Sequence, residues 1–387
     1  MVKFNLQYHR LLIASSFVVS STAFAELSLI DQNSIFTDHD QFKLTTSGSL
    51  RLQALNFDQY NESKNESQKY RRNGYSATSR IYANAYYKFN DEYSLLAGYQ
   101  NYINPPKILD WEGHYAQSDK NITTEQAYMG ISSQSYGTLK YGKIYSLYYD
   151  VVGIKTDLWD YDTLGQAQTW SPVAYYDGTQ AASKTLRYEK KTGLIDYYAA
   201  YLFKDDTQVQ GLKYQRQSGQ EAAIDIHLNK NTSWAVSWKH NAASLSALGE
   251  QQKFDQDLIA TSLFYFNGQW MFGIGGGWYK NLLPNYDALS QMPSVSLENF
   301  LNTEAYGFEY YAGYQFKIAD HGIKFVRPYI MGNYLKYSSG YDFSRCDHGV
   351  GVAVRFEHGF GFDYERLYTK DSDATPDMHL FRLRYEW

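Results

Sequence analysis

The sequence predicts an all-β protein, a transmembrane antiparallel β-barrel of about sixteen strands, and three observations carry that expectation. Apolar and polar residues alternate with a period of two in segment after segment, the mark of strands with two unlike faces. Short turns alternate along the chain with long polar loops, the layout of a membrane-spanning barrel. The chain also holds 39 Tyr, 8 Trp and 21 Phe in 387 residues at a mean hydropathy of −0.53. Tyr and Trp favour membrane–water interfaces, and a wall with one face in lipid and one in water keeps its average hydropathy low.

Residues 1–25 read as a secretory signal. Lys3 and Arg10 supply the charged start, residues 11–19 the apolar stretch, and Ala23-Phe24-Ala25 the small-residue cleavage site. The apolar run falls short of the roughly 20 residues a membrane span needs, and no Cys follows the site to take a lipid. The expected mature domain is therefore 26–387. The formal charge is −5. Losing Lys3 and Arg10 with the leader takes two positive charges from that figure and puts the mature chain at −7. A chain this acidic lacks the basic face that nucleic-acid binding requires. Cys346, the single cysteine, has no partner for an internal disulfide.

The first strand is expected over 42–57, with Gly48, Leu50, Leu52 and Ala54 on one face and Ser47, Ser49, Arg51 and Gln53 on the other. A charged loop follows, then a hairpin of 76–89 and 93–104 joined through Asn90-Asp91-Glu92. Strands at 122–133 and 138–146 flank a turn at 134–137. From Leu147 to about Ala182 the alternation stops. This stretch carries Asp150, Asp157, Asp160, Asp162 and Asp177 against one base, Lys155, together with Trp159, Tyr161, Trp170, Tyr175 and Tyr176. Loops so long are functional or disordered, and aromatic content argues against disorder. An acidic, aromatic loop after the fifth strand is expected to fold back into the barrel.

The remaining strands are expected at 183–190, 194–203, 221–228, 232–241, 256–266, 269–279, 303–316, 323–337, 348–358, 361–370 and 378–387. Asn267-Gly268 is a two-residue hairpin signal. Pro328 donates nothing to a ladder, so it is expected near a strand start or a bulge. The chain closes on Phe381, Leu383, Tyr385 and Trp387 alternating with Arg382, Arg384 and Glu386, charges that a sheet buried on both faces would not tolerate. An even strand number suits a single-chain barrel, and about sixteen strands leave an aqueous channel.

No cofactor or metal site is expected. Gly273-Ile274-Gly275-Gly276-Gly277 sits inside an alternating segment rather than between a strand and a helix, so it reads as thin packing and not as a nucleotide loop. The nine histidines show no metal spacing, and no Ser/His/Asp arrangement stands out.

Three groups of residues resemble the general trimeric porins of Gram-negative outer membranes, and their order and spacing agree over the whole mature chain. They are Tyr128-Met129-Gly130-Ile131 with Lys140-Tyr141-Gly142-Lys143 and Tyr149-Asp150; Glu112-Gly113 with Ala116-Gln117; and Arg327-Pro328 with the aromatic C-terminus. The resemblance implies a water-filled, non-enzymatic diffusion channel in the outer-membrane lipid, narrowed by its third external loop and passing ions and small hydrophilic solutes. It implies a homotrimer in which Glu112 latches to Lys143 of a neighbour. It places the constriction at loop acids Asp157 and Asp160 or Asp162, facing wall bases Arg80 and Arg187. Other wall-base positions fall on Ser49, Thr123 and Glu125, so a negative pore with a cation preference is expected unless Arg51 and Lys88 supply replacement bases. The alternatives are a sugar-selective pore, with Trp159, Tyr161 and Trp170 stacking on sugar rings, and a barrel enzyme.

Overall fold

The computed structural model describes residues 27–30, 41–57, 79–103, 105, 122–159, 178–209, 212–247, 249–282, 301–318, 322–339, 343–371 and 377–387. Its strands in chain order are β1 (Leu27–Ile30), β2 (Phe42–Phe57), β3 (Ser79–Lys88), β4 (Tyr93–Ile103), β5 (Ile122–Ser133), β6 (Gly137–Tyr145), β7 (Ala181–Lys190), β8 (Ile195–Leu202), β9 (Asp205–Val209) and β10 (Leu212–Asn229). They continue as β11 (Thr232–Ala247), β12 (Glu250–Phe266), β13 (Trp270–Lys280), β14 (Glu304–Tyr314), β15 (Phe316–Lys317), β16 (Ile323–Ser339), β17 (Ser344–Phe356), β18 (Phe360–Asp371) and β19 (Met378–Glu386). Leaving aside the short β1, β9 and β15, these are sixteen antiparallel wall strands. The last pairs with the first, Tyr385 against Leu50 and Leu383 against Leu52, and the barrel closes. Closure leaves the sixteen wall strands each paired on both sides, which a lipid environment demands.

Burial alternates as the sequence predicts. Leu50, Leu52, Ile81, Leu95, Trp234, Trp238, Phe272, Ile274, Phe381 and Leu383 are exposed on the outer face, while Ser49, Arg51, Ser233, Ser237, Arg382 and Arg384 are buried on the inner one. The short turns hold by local chemistry. Asn267 Oδ1 accepts from the backbone N–H groups of Gln269 and Trp270 while Gly268 takes φ +92°, a value that glycine adopts without strain. At the other hairpin Asn90 Oδ1 accepts from Glu92 and Tyr93 N–H in the same way.

The structure departs from expectation in two places. β10, β11 and β12 run well beyond the predicted 221–228, 232–241 and 256–266, and stay paired out to Lys213↔Ser246 and Ala247↔Glu250. The added stretches, such as Lys213-Tyr214-Gln215-Arg216-Gln217, are polar on the outer face, so they lack the lipid-facing period that identifies a wall strand. Pro328 lies well inside β16, opposite Val352. Its other neighbour is interrupted there, because β14 pairs as far as Tyr329 and β15 resumes at Val326. The missing donor coincides with a break in the ladder.

Candidate functional site in the barrel interior

After β6 the chain turns inward through a π-helical turn, Tyr148–Val152, and a 3-10 turn, Gly153–Lys155. This segment packs on the inner faces of β10, β11, β12 and β13. Leu147, Tyr148, Val151 and Val152 bury against Ala200, Ala223, Ala235, Leu258, Ala260 and Tyr279. The wall positions here are small, so the segment's backbone approaches closely. Ser262 Oγ donates to Val152 O at 2.8 Å, and a Cβ on Gly273 would stand 2.4 Å from Lys155 O. The run Gly273–Gly277 thus does more than thin the wall, since Gly273 makes room for the inward chain.

The contacts step downward toward the short turns. Tyr148 OH donates to Tyr279 OH at 3.0 Å, Leu158 meets the wall at Gly273, and Trp159 packs with Met271, Tyr311, Tyr329 and Met331. From Tyr279 to Met271 is roughly 26 Å of strand at the usual rise. The segment therefore descends along one side of the barrel.

Polar contacts fix its root. Leu147 N–H donates to Glu221 Oε2 at 2.8 Å, and Lys239 Nζ, paired with Glu221, donates to Gly178 O at 2.9 Å. One buried ion pair on β10 and β11 therefore holds both the outgoing and the returning chain. Ser146 N–H donates to Gln180 O at 2.8 Å across the same gap.

Of the residues marked by the sequence, Asp160, Asp162 and Glu112 lie outside the described residues, as do Tyr161 and Trp170. Arg80, Glu125, Asp157 and Arg187 converge around Tyr102, Tyr145 and Tyr149. Arg80 donates through NH1 to Tyr82 OH at 3.3 Å, and its guanidinium lies 6.0 Å from the Tyr102 ring centre. Tyr149 OH donates to Asp157 Oδ2 at 2.8 Å, and Tyr149 also feels the charge of Arg80. Burial, then Asp157, hold the Tyr149 phenol well above its ordinary value, so it stays a donor. Glu125 is fully buried at a bulge in β5, within electrostatic reach of Tyr102.

Arg187 is 3 % exposed and engaged on every side. NH2 sits 2.6 Å from Asp150 of the inward segment, Nε lies 2.9 Å from Glu189 without hydrogen-bond alignment, and NH1 donates to Tyr145 O at 3.2 Å. Its cation lies 5.6 Å from the Tyr198 ring centre. Arg187 thus ties the inward segment to the wall. Lys143 stands opposite Ala127, which pairs with the exposed Tyr99, and donates to Thr124 O.

Of the two replacement bases the sequence suggests, Arg51 joins the inner wall and Lys88 does not. Arg51 is buried on the inner face and donates to Ser49 Oγ at 2.7 Å, beside the position where a family base was found missing. Arg327, Arg345, Arg355, Arg382 and Arg384 are buried there too. Arg355 and Arg384 share Asp363, Arg345 pairs with Asp347, and Arg382 and Arg327 donate to the neutral amides of Gln53 and Gln315. Their inward parity was readable in the alternation. Lys88 sits at the short turn, paired with Asp91, away from this cluster.

Among the described residues no three His, Cys, Asp or Glu side chains gather as a metal site, and no helix is long and apolar enough to cross a membrane, which says nothing of a β-barrel. A sequence comparison with curated proteins finds no match. Solved structures share the fold at low identity. Salmonella typhi OmpF in complex with daunomycin is 14 % identical over 90 % of this chain and 98 % of its own, with a TM-score of 0.63. An anion-selective porin from Comamonas acidovorans is 11 % identical over 90 % and 100 %, with a TM-score of 0.62. The trimer form of OmpT from Vibrio cholerae is 12 % identical over 90 % and 100 %, with a TM-score of 0.56. The family described as Gram-negative porin matches residues 12–375. With that match laid over a closed sixteen-stranded barrel, the chain belongs to the Gram-negative porin family and is an outer-membrane porin.

Proposed function

We propose that the channel passes ions and small hydrophilic solutes by passive diffusion, without catalysis, and that the segment from Leu147 to Trp159 forms its constriction. The observation that carries this reading is the asymmetry of the interior. One side is covered by an inward segment packed on alanines, and the other keeps a wall of charged and polar side chains. A lumen meant to be closed would be filled by side chains across its width.

The ion preference we propose is mildly cationic. Asp157 faces the interior, and the mature chain is acidic overall, while Arg51 offsets part of the expected shortage of wall bases. Low-dielectric walls focus such fields, so a small imbalance of charge moves local ion concentrations. The sugar-selective alternative loses one of its three aromatics, because Trp159 is 4 % exposed and packed into the wall. Planar-bilayer recording tests both parts. Stepwise conductance is expected, with a reversal potential on the cation side in a dilute KCl gradient that moves toward anions in Asp157→Asn. An anion-side reversal potential in the unmodified channel rules the preference out.

We further propose export by a cleaved 1–25 leader and assembly as a trimer through the outer face of β3–β6. Ile81, Leu95, Met129, Ile131, Leu139 and Tyr141 are exposed there, and the half-buried Lys143, which donates to Thr124 O on the same sheet, is the proposed partner of a neighbour's Glu112. Such a surface pair adds at most about 1 kcal/mol. Glu112→Ala should therefore lower the temperature of trimer dissociation without abolishing the trimer, and an unchanged temperature removes the latch.

A further inference from the structure

The inward segment, though acidic overall, has a single base among its described residues, Lys155. Its side chain is 0 % exposed. Nζ donates to Asp225 Oδ2 at 2.9 Å on β10 and to Ser233 Oγ on β11. Asp225 stands directly opposite Asp196 of β8 in the ladder, and both acids are buried. Like charges opposed across a ladder repel. Asp196 is satisfied locally by Thr192 N–H at 3.1 Å and by His227 Nε2 at 3.1 Å. For Asp225 the ion pair comes from the inward segment itself.

We propose that Lys155 is the positioning residue that fixes the depth and aperture of the constriction, by seating its ammonium on this paired-acid site of the wall. The backbone transmits the position. Lys155 O rests against Gly273, and Asp157 N–H donates to Gly153 O at 3.0 Å in the tight turn that Lys155 closes. A shift of Lys155 therefore carries Asp157 and its Tyr149 bond with it. Freed from Asp225, the segment keeps its apolar root but loses its pin four residues above the turn that joins β10 to β11.

The proposal rests on the reading of this chain as an open channel, so its test uses two readouts. Asp225→Asn and Lys155→Met remove the ion pair, and Ser233→Ala weakens the seat without leaving a buried charge, which covers the case in which the first two do not fold. In planar bilayers all three are expected to show noisier open-channel current with added sub-states, and a unitary conductance changed by about 1.5-fold or more in the two charge variants. Trypsin supplies the second readout, since Asp225→Asn keeps Lys155 as a cleavage site. Cutting after Lys155 in the folded barrel is expected to be at least about tenfold faster than in the unmodified protein, because the pin no longer opposes local opening. Variants that fold and match the unmodified protein in current noise and in cleavage at Lys155 overturn the proposal. If the unmodified protein is silent in bilayers, the channel reading falls, and cleavage in Asp225→Asn then decides on the pin alone.

Discussion

Replacing Lys239 by Met is the sharpest stability test the interior offers. Lys239 and Glu221 are 0 % and 1 % exposed, so solvent screens neither charge. In the variant, Glu221 keeps the Leu147 N–H bond and loses its cation, and Gly178 O loses its donor. Removing one partner of a buried pair costs about 3–5 kcal/mol, mostly from the charge left behind. The double variant Glu221→Gln/Lys239→Met removes both charges and keeps the shapes. It should recover most of the loss and remain about 1 kcal/mol below the unmodified protein for the missing hydrogen bond. The double variant should therefore lose far less than the sum of the two single losses, the signature of strong coupling between the two sites. Urea unfolding from lipid vesicles, followed by tryptophan fluorescence, measures all four proteins. If the double variant loses the sum of the two single losses, the pair does not act as the staple of the segment's root.

Three further outcomes follow from packing and charge. Gly351→Ala places a Cβ 2.3 Å from the Tyr329 ring and displaces a side chain that stacks on Tyr311 at 5.0 Å and donates to Glu365; an overpacking loss of about 1–3 kcal/mol is expected in urea unfolding. Glu92 accepts from Ser133 and from Ser135 N–H and Oγ, which holds its carboxyl below the usual 4.5. A depressed folded pKa gives stability that is present above 4.5 and lost as pH falls through the folded value, so on acidification the unmodified protein should lose more thermal stability than Glu92→Gln, and parallel losses count against this account. Trp387 covers Gly48, exchanges backbone hydrogen bonds with it at 3.0 and 3.2 Å, and stacks on Tyr385. Deleting Trp387 touches only this end of the closing ladder, so insertion in cells should drop while the refolded barrel keeps its strand content.

The wall was legible because one physical signal sets it. Lipid on one face and water on the other impose a period of two, and Val350, Val352 and Val354 against Arg355 or Leu383 against Arg384 display it without any tertiary knowledge. The signal fades where lipid ends, which is why the outer parts of β10, β11 and β12 went unseen. The inward segment was legible as an interruption of that period, but not its path. Its docking track is written on other strands, in alanines at the inner positions 223, 235 and 260 and in Gly273. Small apolar residues on a face that is otherwise polar are the trace such a segment leaves, and an inner-face reading strand by strand would have found it.

The charge of the pore is the harder quantity to read, because a charge inside the barrel is not yet a charge in the path of an ion. Arg187 stands at a wall-base position of the family pattern, and its guanidinium is bound to Asp150, Glu189 and Tyr145 O. Lys155, the loop's base, is bound to Asp225. These groups hold the segment in place, and each ion pair that does so cancels in the field an ion meets at a distance. Position-by-position matching to a family counts them at full value. It also passes over Arg51, which stands beside its expected place and reaches Ser49. The field at the constriction therefore depends on how each charge is engaged as well as on its sign, and Asp157 bears on it while accepting from Tyr149 OH, a phenol that also feels Arg80. On that reasoning Arg187→Ala should disturb the segment's root more than the reversal potential, whereas Asp157→Asn should move the reversal potential and leave the root intact.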